Sequence, residues 1–443
     1  MNLYSTKNLT NIVTLKEAVM TGLPKDGGLF MPLDIPQLDR NWLDQLSSFS
    51  FKEIAHKIAG ELIGNEIPSE ILQKIINNTI TFPAPLHELY ENIFIQELWH
   101  GPSMAFKDFG ARFMAGLMSY FNHENKGELN ILVATSGDTG GAVAAGFHKT
   151  PGINVIILYP KGMVSPIQES QLTTLGDNIY AISIKGDFDD CQRLVKQAFL
   201  DESLKSIITL SSANSINIAR LIPQSFYYFE AIKQLQDKEH IKFVVPSGNL
   251  GNLTAGLLAK KMGAPIESFI AATNANQTIP NYIQTGRYEP KETIKTIANA
   301  MDVSQPSNFE RLSDLLGGVN KGSTWNNIKE AIASQSVSDT EIKKTISKIY
   351  KETGYILDPH SATGIKCALD QRSQKTHNKF IVLGTAHYGK FLDILEETLP
   401  SMEFHLPERI KKTNKKKLNS IENTSKYEDF KNYLIKHVSR ETM

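Results

Sequence analysis

Lys107 lies in the run His100-Gly101-Pro102-Ser103-Met104-Ala105-Phe106-Lys107-Asp108-Phe109-Gly110, an amine set among aromatic rings at a predicted helix start. Apolar burial and the positive end of a helix dipole both disfavour the ammonium form, which frees a lysine to attack a carbonyl carbon. The run therefore points to a Schiff-base lysine. The competing reading is a snorkelling surface lysine with a packed stem.

Three small-residue turns accompany it, each placed after an apolar run and before a helical pattern. Such turns present backbone N–H groups at the carboxyl edge of a parallel sheet, where α/β proteins collect ligands. The first is Ala134-Thr135-Ser136-Gly137-Asp138-Thr139-Gly140-Gly141, rich in hydroxyls and amides and suited to a carboxylate. It has neither the Gly-Lys-Ser/Thr ending of a Walker loop nor the spacing of a dinucleotide fingerprint. The second is Pro246-Ser247-Gly248-Asn249-Leu250-Gly251-Asn252, opening a predicted helix from about Leu253 to Met262, a place that favours a phosphate dianion. The third is Gly384-Thr385-Ala386-His387, whose hydroxyl can meet a heterocyclic nitrogen. Taken singly, each turn is at least as well read as a plain connection. Together with Lys107 they describe a holder for an aromatic aldehyde with a phosphate arm, which is pyridoxal 5'-phosphate.

The elements that must position these groups are legible in the apolar pattern. Ile54, Ile58, Leu62 and Ile71, Ile75 recur at helical spacing, and a mostly helical N-terminal unit is predicted up to about Phe82. After Phe82-Pro83-Ala84-Pro85 short apolar runs alternate with helical stretches, the signature of α/β layering. Strands are predicted at Asn130 to Ala134, Asn154 to Tyr159, Ile179 to Ile184, Lys242 to Val245, Ser268 to Thr273 and Lys379 to Leu383. Their near-continuous apolarity fits parallel strands covered on both faces. Beyond Pro407 the chain turns polar, with Arg409, Lys411, Lys412, Lys415, Lys416 and Lys417 before a weak amphipathic stretch at Phe430, Leu434, Ile435 and Val438; a solvated tail is expected there.

Bulk composition narrows the function classes. A chain of 443 residues is long enough for two or three domains. Its 47 basic and 47 acidic residues leave no net field toward nucleic acid or an anionic membrane, so neither is expected as a partner. Cys191 and Cys367 are far apart and lack CxxC spacing, so neither a disulfide scaffold nor a metal site is expected. No apolar run approaches the ~20 residues needed to span a bilayer, and Met1 to Thr10 lacks a signal-peptide pattern, so a cytoplasmic location is expected.

Several stretches resemble the threonine synthase family: His100 to Phe113, Ala134 to Ala144, Ser212 to Arg220, Val245 to Leu258 and Leu383 to Phe391. Asp26 to Pro32, Ser165 to Gln168 and Asn299 to Asn308 are similar to the same family, so the likeness covers most of residues 1 to 400. The resemblance implies the fold type II architecture of pyridoxal-phosphate enzymes: two doubly wound α/β domains, the smaller moving against the larger, with an additional mostly helical N-terminal unit. Expected boundaries are 1–92 for that unit, 93–110 and 200–406 for the cofactor domain, 111–199 for the small domain and 407–443 for a polar tail.

By the same resemblance Lys107 is the catalytic, cofactor-linked lysine. Gly248, Asn249, Leu250, Gly251 and Asn252 wrap the cofactor phosphate, and Thr385 faces the ring nitrogen. Thr135, Ser136, Gly137, Asp138 and Thr139 match the loop for the substrate carboxylate, and Asn214, Ser215 and Arg220 the positions for the substrate phosphate. For Arg220 a helix-surface ion pair is the plain alternative. The implied reaction takes O-phospho-L-homoserine and water to L-threonine and phosphate, in a monomer or homodimer. A related phospholyase releasing a keto acid, or a non-catalytic regulatory protein binding the cofactor, would share much of the pattern. Two departures stand out: Tyr388-Gly389 where the family has Pro-Ala, and Leu250 where Phe is common.

Overall fold

The computed structural model describes residues 1–123, 127–135, 137–318, 323–372, 377–408 and 418–438. Its strands, in chain order, are β1 (Asn2–Ser5), β2 (Asn8–Thr14), β3 (Phe30–Pro32), β4 (Leu86–Tyr90), β5 (Ile93–Glu97), β6 (Leu129–Ala134), β7 (Ile153–Pro160), β8 (Ile179–Lys185), β9 (Thr209–Ser212), β10 (Ile241–Pro246), β11 (Ser268–Thr273), β12 (Ile332–Ser336), β13 (Lys379–Gly384) and β14 (Ser420–Thr424). The chain forms two compact units. One comprises Met1–Leu15, Leu23–Phe106 and Leu221–His405; the other comprises Lys16–Gly22, Lys107–Arg220 and Leu406–Met443.

The larger unit is built on a six-stranded sheet in the order β12-β11-β10-β13-β5-β4, parallel throughout except for the edge strand β4. β10 is central, with Val244 opposite Ile270 on one side and Val382 on the other. Every residue of β10 except Lys242 is buried, as a strand covered on both faces requires. Ile95, Val244, Ile270 and Val382 pack with Ala362 and Ile365 of the helix Pro359–Gln371 to form a core.

Helices predominate in the first ninety or so residues, as their spacing predicts. The helix Phe51–Ile63 starts at a capping box in which Ser50 accepts from the Glu53 amide, and it buries Ile54, Ile58 and Leu62. The helix Ser69–Thr79 buries Leu72, Ile75 and Ile76. The antiparallel sheet β2-β1-β3 that opens the chain was not anticipated. β2 is exposed along nearly its whole length, so the burial-driven pattern that reveals a strand is absent there.

The smaller unit carries a five-stranded, wholly parallel sheet in the order β14-β8-β7-β6-β9. Two of its features depart from the expected boundaries. It runs continuously from Lys107 to Arg220 and is not confined to 111–199. The segment after Pro407 is not a solvated tail, because β14 pairs with β8 and the helix Tyr427–Val438 buries Phe430, Tyr433 and Leu434 against Leu194, Val195 and Ala198. Arg409 and the lysines from Lys411 to Lys417 lie outside the described residues. No helix among the described residues is long and apolar enough to cross a membrane.

Candidate active site

In the larger unit the turn after β10 is held from several sides. Ser247 donates its amide to Ala272 O at 2.8 Å and its hydroxyl to Val245 O at 2.7 Å. A side chain at Gly248 would place Cβ 2.8 Å from Met301 Cα and 3.1 Å from Ala300 O, so the position accepts only glycine without a shift of backbone. Asn249 Oδ1 accepts the Ser307 amide, and Asn249 O accepts Asn308 Nδ2 at 3.1 Å. Leu250 sits in the left-handed region at φ 59°, a conformation that disfavours a side chain by roughly 1 to 2 kcal/mol and is maintained only where the surroundings dictate it. It is the cap of the helix Gly251–Lys261 and is itself buried, so a leucine fills the place where the family favours phenylalanine.

Asn252 supplies the observation that tests the turn against a phosphate. Its Oδ1 accepts the hydroxyls of Tyr227 at 2.7 Å and Tyr228 at 2.9 Å, both phenols being held well above their ordinary range by burial. Its Nδ2 is buried and meets no acceptor among the described residues. A buried donor without an acceptor, in the first turn of a helix behind a glycine-only bend, fits an anionic oxygen.

The turn after β13 is laced to the residues that lead into Lys107. Phe106 donates its amide to Thr385 O at 2.9 Å, His387 donates to Met104 O at 3.1 Å, and Ala105 bridges Ala386. The buried Lys390 adds Nζ to Ser103 O at 3.0 Å. Thr385 is 6% exposed, and its hydroxyl makes no hydrogen bond to another described residue. The Tyr388-Gly389 departure is absorbed locally: His387 Nδ1 accepts the Gly389 amide at 2.9 Å, and Tyr388 stacks on His387 with centroids 4.3 Å apart.

In the smaller unit Lys107 is the first residue of the helix Lys107–Asn122 and is half-buried. Asp108 follows it, fully buried, and its charge acts on both Arg112 and Arg220. Arg220 is 2% exposed, which rules out the surface ion pair. Its Nη1 donates to Ala213 O at 2.8 Å, and a Cβ at Gly110 would lie 3.1 Å from Arg220 O and 3.2 Å from its Nε. Burial draws the Arg220 guanidinium down to about 10, with Asp108 opposing the shift, so it stays cationic at neutral pH. The buried Arg220 and the half-buried Arg112 both lie within the field of Asp108, and a guanidinium offers a planar fork of donors suited to an anion. Asn214 and Ser215 are half-buried on the loop between β9 and Arg220, where Asn217 accepts the Ala219 amide at 3.0 Å and donates to Val19 O at 2.9 Å.

Thr135 Oγ1 accepts the amides of Gly137 at 3.0 Å and Gly140 at 2.9 Å, capping the helix Asp138–Phe147. Gly137 has φ 141°, and a Cβ there would come within 2.5 Å of the Gln168 amide. Gln168 in turn donates to Asp138 Oδ1 at 3.1 Å, and Thr139 is half-buried on the first turn of the helix. Ser136 lies outside the described residues. Gln168 was not assigned to the site from sequence; the Ser165–Gln168 capping box signals a helix start but not what the glutamine packs against.

The chain is similar to known proteins along nearly its whole length. Residues 2–80 match the family described as threonine synthase N terminus, 72–384 the pyridoxal-phosphate dependent enzymes, and 361–434 the threonine synthase C-terminal family. The chain is 45% identical to the threonine synthase of Haemophilus influenzae over 98% of this chain and 100% of that one. It superposes on the crystal structure of threonine synthase from Escherichia coli with a TM-score of 0.90 and 40% identity, covering 99% of this chain and 100% of the other. The corresponding figures for the pyridoxal-phosphate-bound threonine synthase of Brucella melitensis are 0.94, 33%, 99% and 100%. With 45% identity over 98% of its length and a matching architecture, the chain belongs to the threonine synthase family of pyridoxal-phosphate-dependent enzymes.

Proposed function

We propose that this chain converts O-phospho-L-homoserine and water to L-threonine and phosphate, with pyridoxal 5'-phosphate as cofactor. The observation that carries the substrate assignment is Arg220: a buried cation packed on the helix that Lys107 begins, where a dianionic leaving group needs charge. Gly248, Asn249, Leu250, Gly251 and Asn252 would hold the cofactor phosphate through main-chain donors and Asn252 Nδ2, and the Thr385 hydroxyl would meet the ring nitrogen. Bound there, the cofactor supplies a conjugated sink for negative charge developing beside the substrate amine. A neutral hydroxyl at that nitrogen leaves the ring less electron-poor than a carboxylate would, which favours elimination over transamination.

Lys107 would anchor the cofactor, and its free amine would take and return a proton at the substrate α carbon. Thr135, Ser136, Gly137, Asp138 and Thr139 receive the substrate carboxylate. Arg220, Asn214 and Ser215 grip the phosphate, which orients the γ carbon and stabilises the charge of the departing group. The enzyme works in the cytoplasm as a monomer or homodimer. Incubation of the holoprotein with O-phospho-L-homoserine tests the reading: threonine and phosphate should appear in equal amounts. Release of 2-oxobutyrate in place of threonine would make it a phospholyase and overturn the proposal.

A further inference from the structure

Asp358 and His360 form a buried pair with no part in the chemistry above. Each is 2% exposed at the start of the helix Pro359–Gln371. Asp358 Oδ1 accepts the amides of His360 at 2.9 Å and Ser361 at 3.3 Å, and also meets His360 Nδ1 at 3.0 Å. The Ser361 hydroxyl donates to Oδ2. The other ring nitrogen, Nε2, accepts the backbone N–H of Ala300 at 3.1 Å. A nitrogen that accepts carries no proton, so the ring proton sits on Nδ1, directed at Asp358. The ring plane is set by Phe391, which crosses it at 62° with centroids 5.0 Å apart.

Ala300 is the middle of the short 3-10 turn Asn299–Met301. The atoms that would clash with a Cβ at Gly248 are Ala300 O and Met301 Cα, so this turn is the wall against which the phosphate turn is pressed. A helix cap alone needs only the aspartate. The histidine adds something a cap does not: an acceptor of fixed tautomer that ties down the Ala300 amide.

We propose that the Asp358–His360 pair positions the cofactor-phosphate turn Ser247–Asn252 by holding Asn299–Met301 against Gly248. The inference rests on the reading of that turn as the phosphate holder. His360 is a positioning residue, acting through Ala300 on donors that it does not itself touch.

The test compares binding of pyridoxal phosphate and of unphosphorylated pyridoxal by protein stripped of cofactor. Wild type should prefer the phosphorylated form, and Gly248→Ala should erode that preference by pushing the turn off its wall. His360→Leu leaves the Ala300 amide without an acceptor and should lower affinity for pyridoxal phosphate about tenfold with little change for pyridoxal. His360→Gln, whose Oε1 can accept the same amide, should restore most of the loss. Asp358→Asn keeps an oxygen to cap the helix but removes the charge that selects the Nδ1–H tautomer; it should show a partial loss, and it serves if the leucine variant does not fold. An unchanged preference in His360→Leu or Asp358→Asn alongside an eroded one in Gly248→Ala overturns the positioning role. Equal loss for both ligands overturns it too, since the pair would then be merely structural. An intact preference in Gly248→Ala overturns the phosphate-turn reading itself.

Discussion

Lys107 and Arg220 are the residues on which function is most directly tested. Replacing Lys107 by Ala should abolish both turnover and the borohydride-trapped cofactor adduct; a variant keeping either would remove the lysine from its role. In the proposed reaction Arg220→Gln would delete a charged donor to the substrate phosphate while leaving a neutral one. The cost of about 1.5 to 3 kcal/mol corresponds to roughly 10- to 150-fold in kcat/KM. Most of it should appear in KM if the phosphate is gripped equally in the ground and transition states. Steady-state kinetics with unchanged kcat and KM would sink the assignment. The candidate residues stand out in the sequence because an amine, a guanidinium and glycine-hydroxyl turns have few substitutes for the proposed chemistry. What the sequence did not reveal was support: Gln168, Asp358, His360 and Arg311 act through tertiary contacts between distant segments. Arg311 is fully buried, drawn down to about 9 by burial, and binds Phe30 O and Asn308 Oδ1. Asn308 in turn holds Asn249 O, a chain of contacts that no local pattern encodes.

At the scale of elements, the six strands predicted from apolar runs are all present, with ends shifted by at most one residue. β5 was missed despite its Ile93-Phe94-Ile95 run, and other strands were missed because they carry no such run. β12 is Ile-Ala-Ser-Gln-Ser and β9 is Thr-Leu-Ser-Ser, stretches held by backbone pairing more than by side-chain burial. β5 shows a further device, the carboxylate that ends it. Glu97 is 7% exposed and accepts His100 Nε2 at 2.7 Å and the Tyr355 hydroxyl at 2.7 Å, with His87 Nε2 at 3.4 Å. Burial alone would raise its pKa, but these hydrogen bonds and the histidine charge bring it below the usual glutamate value. A folded-state pKa below the unfolded one, about 4.3, means that the stabilisation is present above that pH and lost as pH falls through the folded value. Glu97→Gln should therefore lower Tm at pH 7, and the gap to wild type should narrow below about pH 4 as the wild-type carboxylate is protonated. Thermal melts across that range decide it; a gap independent of pH would show that the charge contributes nothing.

For the whole molecule, the most consequential misreading was the end of the chain. A lysine-rich run followed by a weakly apolar stretch reads as solvated, yet residues 418–438 complete the smaller unit. β14 extends the parallel sheet with side chains that are half-exposed or exposed, so its attachment comes from the backbone ladder to β8 and from Glu422, which pairs with both Lys161 and Lys185. The helix behind it buries Phe430, Tyr433 and Leu434, and Lys431 and Tyr427 both reach Asp201 at 2.8 Å. Three side chains of that size contribute roughly 5 kcal/mol of apolar burial, comparable to the stability of an ordinary domain. Deleting everything after residue 408 should therefore unfold the smaller unit first. Calorimetry should resolve an early transition absent from the full chain, and limited proteolysis should cut between Leu129 and Ser212 while β10, β11 and β13 of the larger unit survive. Because the proposed cofactor lysine, Lys107, begins a helix of the smaller unit, the truncated protein should also lose turnover. A single unshifted transition with full activity would mean that the C-terminal strand and helix are dispensable decoration and not part of the smaller unit's core.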